Sequence, residues 1–171
     1  GRPIGVTNGT DGSTLITCSY EARAFGVKTG MRLYEARRLC PGIVQRPARP
    51  RVYAAVSTRI MRALVALSPD IEVFSVDEAF IDVTHCQRLH GPPLRMARMA
   101  RALIHRASNG LPCSIGVAAT KLSAKVASEL IKPNGLTIVP PGETRAWLRD
   151  LPMEKICGIG PHIAEFLASH G

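Results

Sequence analysis

Asp77 and Glu78 stand side by side in the segment Ser75-Val76-Asp77-Glu78-Ala79-Phe80-Ile81-Asp82, between two stretches rich in β-formers. Neighbouring carboxylates in apolar surroundings repel each other unless something neutralises them. A divalent cation does this, and Mg²⁺ takes oxygen ligands. An exposed turn, where Asp is common, is the other reading of the same residues. Tyr20 and Arg23 form a second pair. Three residues apart in a short helix, they share a face. A planar guanidinium and a phenolic hydroxyl there could hold phosphate oxygens. An aromatic packed in a core beside a solvated Arg would leave the same pattern. Lys121, Lys125, Ser128 and Lys132 lie four, three and four apart, on one polar helix face. That face either meets phosphate or is simply solvated. Gly158 and Gly160 bracket Ile159 just before Pro161. They permit a tight hairpin whose N–H groups could face a DNA phosphate, or a plain helix–helix turn.

The elements that must position these residues follow from periodicity. Residues 3–6 and 14–17 read as strands around Asn8-Gly9-Thr10-Asp11-Gly12. Ser19 can cap a very short helix that Gly26 ends in the left-handed conformation. A second helix spans about 31–40 and stops before Pro41. Residues 42–50, rich in Pro and Arg, read as a crossing between subdomains. Apolar residues at helical spacing mark 51–67 and 93–107 as helices. Residues 71–76, 79–84, 113–117 and 136–139 read as strands, and 121–131 as a helix. From residue 51 the order is α, β, β, α, β, which fits a ferredoxin-like βαββαβ sheet whose first strand lies upstream of residue 1. Pro140-Pro141-Gly142 reads as a linker. A helix from Leu151, the Gly158–Gly160 turn and a helix opening at Pro161 read as a helix-hairpin-helix.

These segments carry a resemblance. Ser75–Asp82 is similar to the S-x-D-E-A/S-x-x-D signature of the Y-family (translesion, DinB/UmuC-like) DNA polymerases. Ser19 to Val27 resembles the family's S-Y-E-A-R-x-F-G-V motif, followed by Gly30-Met31 and Glu35-Ala36. Ala124–Ser128 and Lys132–Gly135 resemble its A-K-x-A-S and K-P-x-G motifs, and Ile156–Gly160 its thumb hairpin. Thr120 stands where the family usually has Asn; either residue caps a helix.

The resemblance implies an α+β fold with residues 1–49 as fingers, 50–139 as palm and 140–171 as the start of the thumb. It implies a fragment without the first palm strand, its first metal aspartate and ribonucleotide-excluding residue, or the little finger. Asp77 and Glu78 become the palm carboxylates for two Mg²⁺ ions. Tyr20, Arg23 and Lys132 hold the incoming triphosphate. Lys125, Gly158 and Gly160 contact DNA. The implied activity is deoxynucleotidyl transfer to a primer 3′ end, past lesions. Primer–template DNA and deoxynucleoside triphosphates are the implied partners, with a sliding clamp reached through regions outside this chain.

Bulk composition agrees. With 22 Lys and Arg against 13 Asp and Glu, the net charge is +9, which favours a polyanionic partner. Cys18, Cys40, Cys86, Cys113 and Cys157 are odd in number and show no C-x-x-C spacing, which argues against a disulfide framework or a zinc site. They read as reduced, mostly buried thiols of a cytoplasmic protein. The five histidines show no ligand spacing. No apolar run approaches the ~20 residues of a membrane span. Two other classes share some of these features. A non-catalytic DNA-binding adaptor of the same fold would have no use for Asp77 and Glu78. A palm-fold nucleotide cyclase would need neither the thumb hairpin nor the charge.

Overall fold

The computed structural model describes residues 1–170. The chain divides into two compact units, residues 1–52 and the chain from Tyr53 onward.

In the first unit, β1 (Ile4–Thr7) pairs antiparallel with β2 (Leu15–Cys18), as the turn-rich residues between them require. Ser19 then caps α1 (Tyr20–Ala24): its Oγ accepts from the Ala22 N–H at 3.3 Å and from the Ile4 N–H at 3.0 Å. The same hydroxyl therefore starts the helix and ties it to β1. Gly26 adopts φ +84°, the left-handed backbone that ends the helix. α2 (Leu33–Leu39) follows, with the Arg32 N–H donating to Glu35 Oε2 at 2.9 Å. Leu15, Ala22, Val27, Leu33, Ala36, Cys40 and Ile43 form the core between sheet and helices.

The crossing expected over 42–50 contains a strand instead. β3 (Val44–Pro47) runs parallel to β1, from Ile4 opposite Val44 to Thr7 opposite Pro47. Pro and Arg are poor strand signals, but β3 is an edge strand, and an edge tolerates Pro. Gln45 locks the sheet to the β1–β2 loop. Its amide donates to Thr7 Oγ1 at 3.0 Å and to the Thr10 carbonyl at 2.9 Å.

The second unit is built on α3 (Pro50–Leu64), whose first residues belong to the first unit, β4 (Ile71–Val73), β5 (Ala79–Ile81), α4 (Gln87–His90), α5 (Pro93–Ala107), β6 (Ile115–Val117), α6 (Lys121–Leu130) and β7 (Leu136–Ile138). α7 (Thr144–Arg149), a 3₁₀ turn (Met153–Lys155) and α8 (Pro161–His170) complete it. The order expected from residue 51 is kept, but hydrogen bonding divides the strands into two ladders. β4 and β5 are antiparallel, with Glu72 opposite Phe80. β6 pairs in parallel with β7, with Gly116 opposite Thr137. One apolar layer serves both ladders: Leu64, Leu67 and Ala100 pack with Ile71, Ile81 and Ile115.

β4 and β5 are shorter than their β-rich sequence suggests. The N–H groups of Phe74 and Ser75 both donate to the Glu78 carbonyl, at 3.0 and 3.1 Å, so the ladder closes early. α4 and α7 escape periodicity because four and six residues are too few to show it. The helix expected from Leu151 is only the 3₁₀ turn, whereas Pro161 opens α8 as expected; its final expected residue lies outside the described ones. Of the cysteines, Cys18 and Cys40 are buried, Cys86 and Cys113 half-buried and Cys157 exposed, all as free thiols.

α6 lies hard against β6. A Cβ on Gly116 would stand 2.0 Å from the Ala124 carbonyl oxygen and 2.5 Å from the Ser128 nitrogen. Thr120 caps this helix, its Oγ1 accepting from the Ser123 N–H at 3.2 Å. Gly116→Ala is therefore expected to destabilise the protein by about 1–3 kcal/mol or more, because backbone on α6 must move. Gly160→Ala, with nothing within 4 Å, is expected to change the urea midpoint far less. Equal midpoints for the two variants would contradict the close β6–α6 contact.

Candidate active site

Asp77 and Glu78 occupy the loop between β4 and β5, with different surroundings. Asp77 is exposed, contrary to the expectation of two acids held within an apolar hairpin. The Ser75 hydroxyl donates to Asp77 Oδ1 at 2.7 Å, and the Asp77 N–H donates back to Ser75 Oγ at 3.3 Å. This fixes the carboxylate and leaves its other oxygen free of side-chain partners among the described residues. Glu78 is half-buried and its Oε1 is ion-paired with Lys125 Nζ of α6. The repulsion between neighbouring acids is thus relieved on one side by a cation.

Lys125 is the hub of this arrangement. Its side chain is 17% exposed and its ammonium lies 5.3 Å from the Phe74 ring centroid. Phe74 meets Phe80 edge-to-face, with centroids 5.9 Å apart. Burial strips water from the ammonium and works to lower its pKa. The hydrogen bond and charge of Glu78 outweigh this, so the pKa lies above its ordinary value. Lys125, which the resemblance assigns to DNA, has its half-buried ammonium on Glu78, since an ammonium with little access to solvent needs an anion beside it. Lys121 pairs with Glu72 of β4, so two turns of one α6 face clamp the β4–β5 hairpin. Ser75 and Phe74 had no assigned role in the sequence. Ser75 could have been found from its position two residues before an Asp; nothing marked Phe74.

Lys132 lies just past α6, with Nζ 2.7 Å from Glu129 Oε1. Both side chains are well exposed, so this pair is weak and exchangeable. Its loop is held firmly. Arg101 of α5 donates through Nη2 to the carbonyls of Asn134 and Gly135, at 3.0 and 2.6 Å. Ser114 Oγ accepts from the Gly135 N–H at 3.1 Å and donates to the Ile131 carbonyl at 3.0 Å. Asp82 accepts from the Thr84 N–H at 2.9 Å, a turn bond within the chain.

In the first unit, Tyr20 and Arg23 are both exposed and adjacent, the guanidinium carbon 5.7 Å from the ring centroid. Arg23 Nε donates to the Cys18 carbonyl at 3.3 Å, and the other N–H groups of this exposed guanidinium have no partner among the described residues. The alternative of a Tyr packed in a core is excluded by its 52% exposure. Gly158, at φ +92°, and Gly160 are exposed in the turn ahead of α8, with open space around both.

The impB/mucB/samB family model matches residues 1–129. The chain belongs to this family. It is 41% identical, over its whole length, to DNA polymerase IV of Moorella thermoacetica and 42% identical to DNA polymerase IV 2 of Mesorhizobium japonicum. It covers 43% and 40% of those proteins, so it spans less than half the length of either relative. Among solved structures, the insertion ternary complex of Dbh DNA polymerase superposes with a TM-score of 0.88 at 35% identity, and DinB from Sulfolobus solfataricus with 0.86 at 36%. All of this chain and about half of each structure are covered. A Y-family DNA polymerase chimera of Dbh and Dpo4 superposes with a TM-score of 0.86 at 35% identity. The Y-family resemblance read from the motifs, and the mixed α+β class, are borne out.

The Lys125–Glu78 pair yields a signed pH dependence. A lysine whose folded pKa is raised contributes stability that is full below the unfolded value of 10.5 and is lost as pH rises through the folded pKa. Lys125→Met is expected to be less stable at neutral pH. The difference in unfolding free energy between native protein and variant should shrink only above pH 10.5. A difference that is flat from pH 8 to beyond that range would contradict the pairing.

Proposed function

We propose that the chain carries the fingers (1–49), the palm (50–139) and the first part of the thumb (140–171) of a DNA-directed DNA polymerase that copies past lesions. The observation that carries this is the Asp77–Glu78 pair at the β4–β5 turn, one carboxylate open and one held by a half-buried lysine, in a chain that aligns over its whole length with DNA polymerase IV proteins. In the proposed reaction the primer 3′ oxygen bonds to the α-phosphorus of a deoxynucleoside triphosphate, pyrophosphate leaves, and the hydroxyl proton passes to solvent.

Two carboxylates from adjacent residues are a hard-oxygen set suited to Mg²⁺, which binds through one or two carboxylates and completes its shell with water and substrate phosphate. We infer two such ions, and their bound chemistry is to neutralise charge on the attacking, leaving and equatorial oxygens. The chain's residues do the positioning. Ser75 orients Asp77, and Lys125 holds Glu78 through a contact that a cation must compete with. The exposed guanidinium of Arg23, the Tyr20 hydroxyl and the Lys132 ammonium are donors for the β- and γ-phosphates; Lys132 exchanges Glu129 for phosphate. Gly158 and Gly160 leave backbone N–H groups open to a DNA phosphate. Primer–template DNA is the polyanion that the +9 charge serves. No described helix is long and apolar enough to cross a membrane. We place the protein in the cytoplasm and expect any clamp contact to use other parts of the full-length protein.

Primer extension and DNA binding, measured together on the full-length protein, test this. Asp77→Asn and Glu78→Gln should abolish nucleotide addition and leave DNA binding nearly intact, since phosphate contacts supply most of that affinity. Arg23→Ala and Lys132→Ala should each raise KM for the incoming nucleotide by an amount worth about 1–3 kcal/mol. Near-normal extension by either acid variant would sink the carboxylate assignment. A fall in DNA affinity with unchanged nucleotide KM would move Arg23 and Lys132 to the DNA track.

A further inference from the structure

The outer face of α5 carries a cationic hollow that none of the proposed chemistry uses. Its volume is about 660 Å³, and Arg98, Arg101, His105 and Arg106 line it together with Leu111 and Pro112. The inner face of the same helix is spent on packing: Met96, Ala97 and Ala100 are buried, and Ala100 sits in the layer under β4, β5 and β6. None of the residues around Asp77 and Glu78 lines the hollow.

The charge around the hollow is uncompensated. Residues 83–128 contain no Asp or Glu, so every charged side chain in that stretch is Lys or Arg, apart from any protonated His. Among the described residues, Arg98, Arg101, His105 and Arg106 make no ion pair. Arg101 is fixed by its bonds to the Asn134 and Gly135 carbonyls, which satisfy part of the guanidinium without neutralising it. It acts as a rigid charged wall, while Arg98 and Arg106 are exposed and free to close on a ligand. Like charges gathered on one helix face repel, at a cost in stability. An anion in the hollow removes that cost.

We propose that this hollow binds the backbone of a single strand of nucleic acid, separately from the primer–template. Arg98 and Arg106 are eight residues apart, or ~12 Å along α5 at the helical rise, so the charge is spread along a line rather than focused on one point. A line of guanidinium groups suits successive phosphates. The site is concave, which admits a flexible strand and not a stiff duplex. No Phe, Tyr or Trp lines it and His105 is its one aromatic ring, so the phosphates rather than the bases carry the contact, and binding is largely independent of sequence. The proposal stands on this charge and shape alone, and goes beyond the polymerase reading.

The test uses the full-length protein saturated with an unlabelled, non-extendable primer–template hairpin, so that any duplex groove is filled. Binding of a fluorescent twelve-residue oligo-dT is then followed by anisotropy against salt concentration. The double variant Arg98→Gln, Arg106→Gln should bind the oligonucleotide several-fold more weakly. The slope of log K against log salt should fall by about 1–2. Arg98→Lys, Arg106→Lys, which keeps the charge, should retain most of the binding. Both variants change exposed residues, and a thermal midpoint no lower than that of the native protein confirms that they fold. Identical affinity and slope in the native protein and the Gln variant would overturn the proposal. So would tripolyphosphate or poly-glutamate binding that depends on Arg98 and Arg106 while oligo-dT binding does not.

Discussion

The ion pair between Lys125 and Glu78 is the constraint on which the site depends. Two carboxylates on consecutive residues cannot both be desolvated without a counter-charge. The chain meets this by leaving Asp77 exposed and giving Glu78 a lysine from the neighbouring helix. The pair is only partly buried, so its strength is tempered by water, and a cation arriving at the carboxylates can compete for Glu78. A fully buried pair would be harder to open, and a fully exposed one would not hold the loop. Phe74 adds an aromatic face beside the ammonium, which favours the charged form without consuming the acid.

Delivery of Lys125 to that point depends on backbone contact. Gly116 lets β6 press against α6 at a distance no side chain would permit. Thr120 fixes where the helix begins, and Lys121 and Lys125 then fall on the face toward β4 and the β4–β5 loop. At the other end of α6, Arg101 and Ser114 hold the loop that bears Lys132. One helix thereby connects the carboxylate loop to the lysine proposed for triphosphate.

Much of this was legible in the sequence, for identifiable reasons. α5 runs over the residues that its apolar spacing marks, since fifteen residues give four turns of evidence. Ser19 and Thr120 cap the helices they were expected to cap, because a hydroxyl that satisfies an orphan N–H is a local signal. β3 was hidden because pairing with β1, a partner about forty residues away, makes it a strand despite Pro and Arg. The split into two ladders is likewise a long-range property. Within the site, Asp77 and Glu78 stood out as a pair of charges, but the inward turn of Lys125 did not. A lysine on a polar helix face reads the same whether it meets water, phosphate or a carboxylate from elsewhere in the chain.

The central claim is that Asp77 and Glu78 form one cation site poised against Lys125. Mn²⁺ binding to the full-length protein, followed by its electron paramagnetic resonance signal without nucleotide, tests it most directly. Asp77→Asn should weaken Mn²⁺ by at least the ~10–100-fold typical of losing a supporting partner of a metal ligand. Lys125→Met, which removes the competing ammonium, should keep or strengthen binding. Mn²⁺ affinity unchanged by Asp77→Asn, or lost with Lys125→Met in a protein that remains folded, would contradict the account.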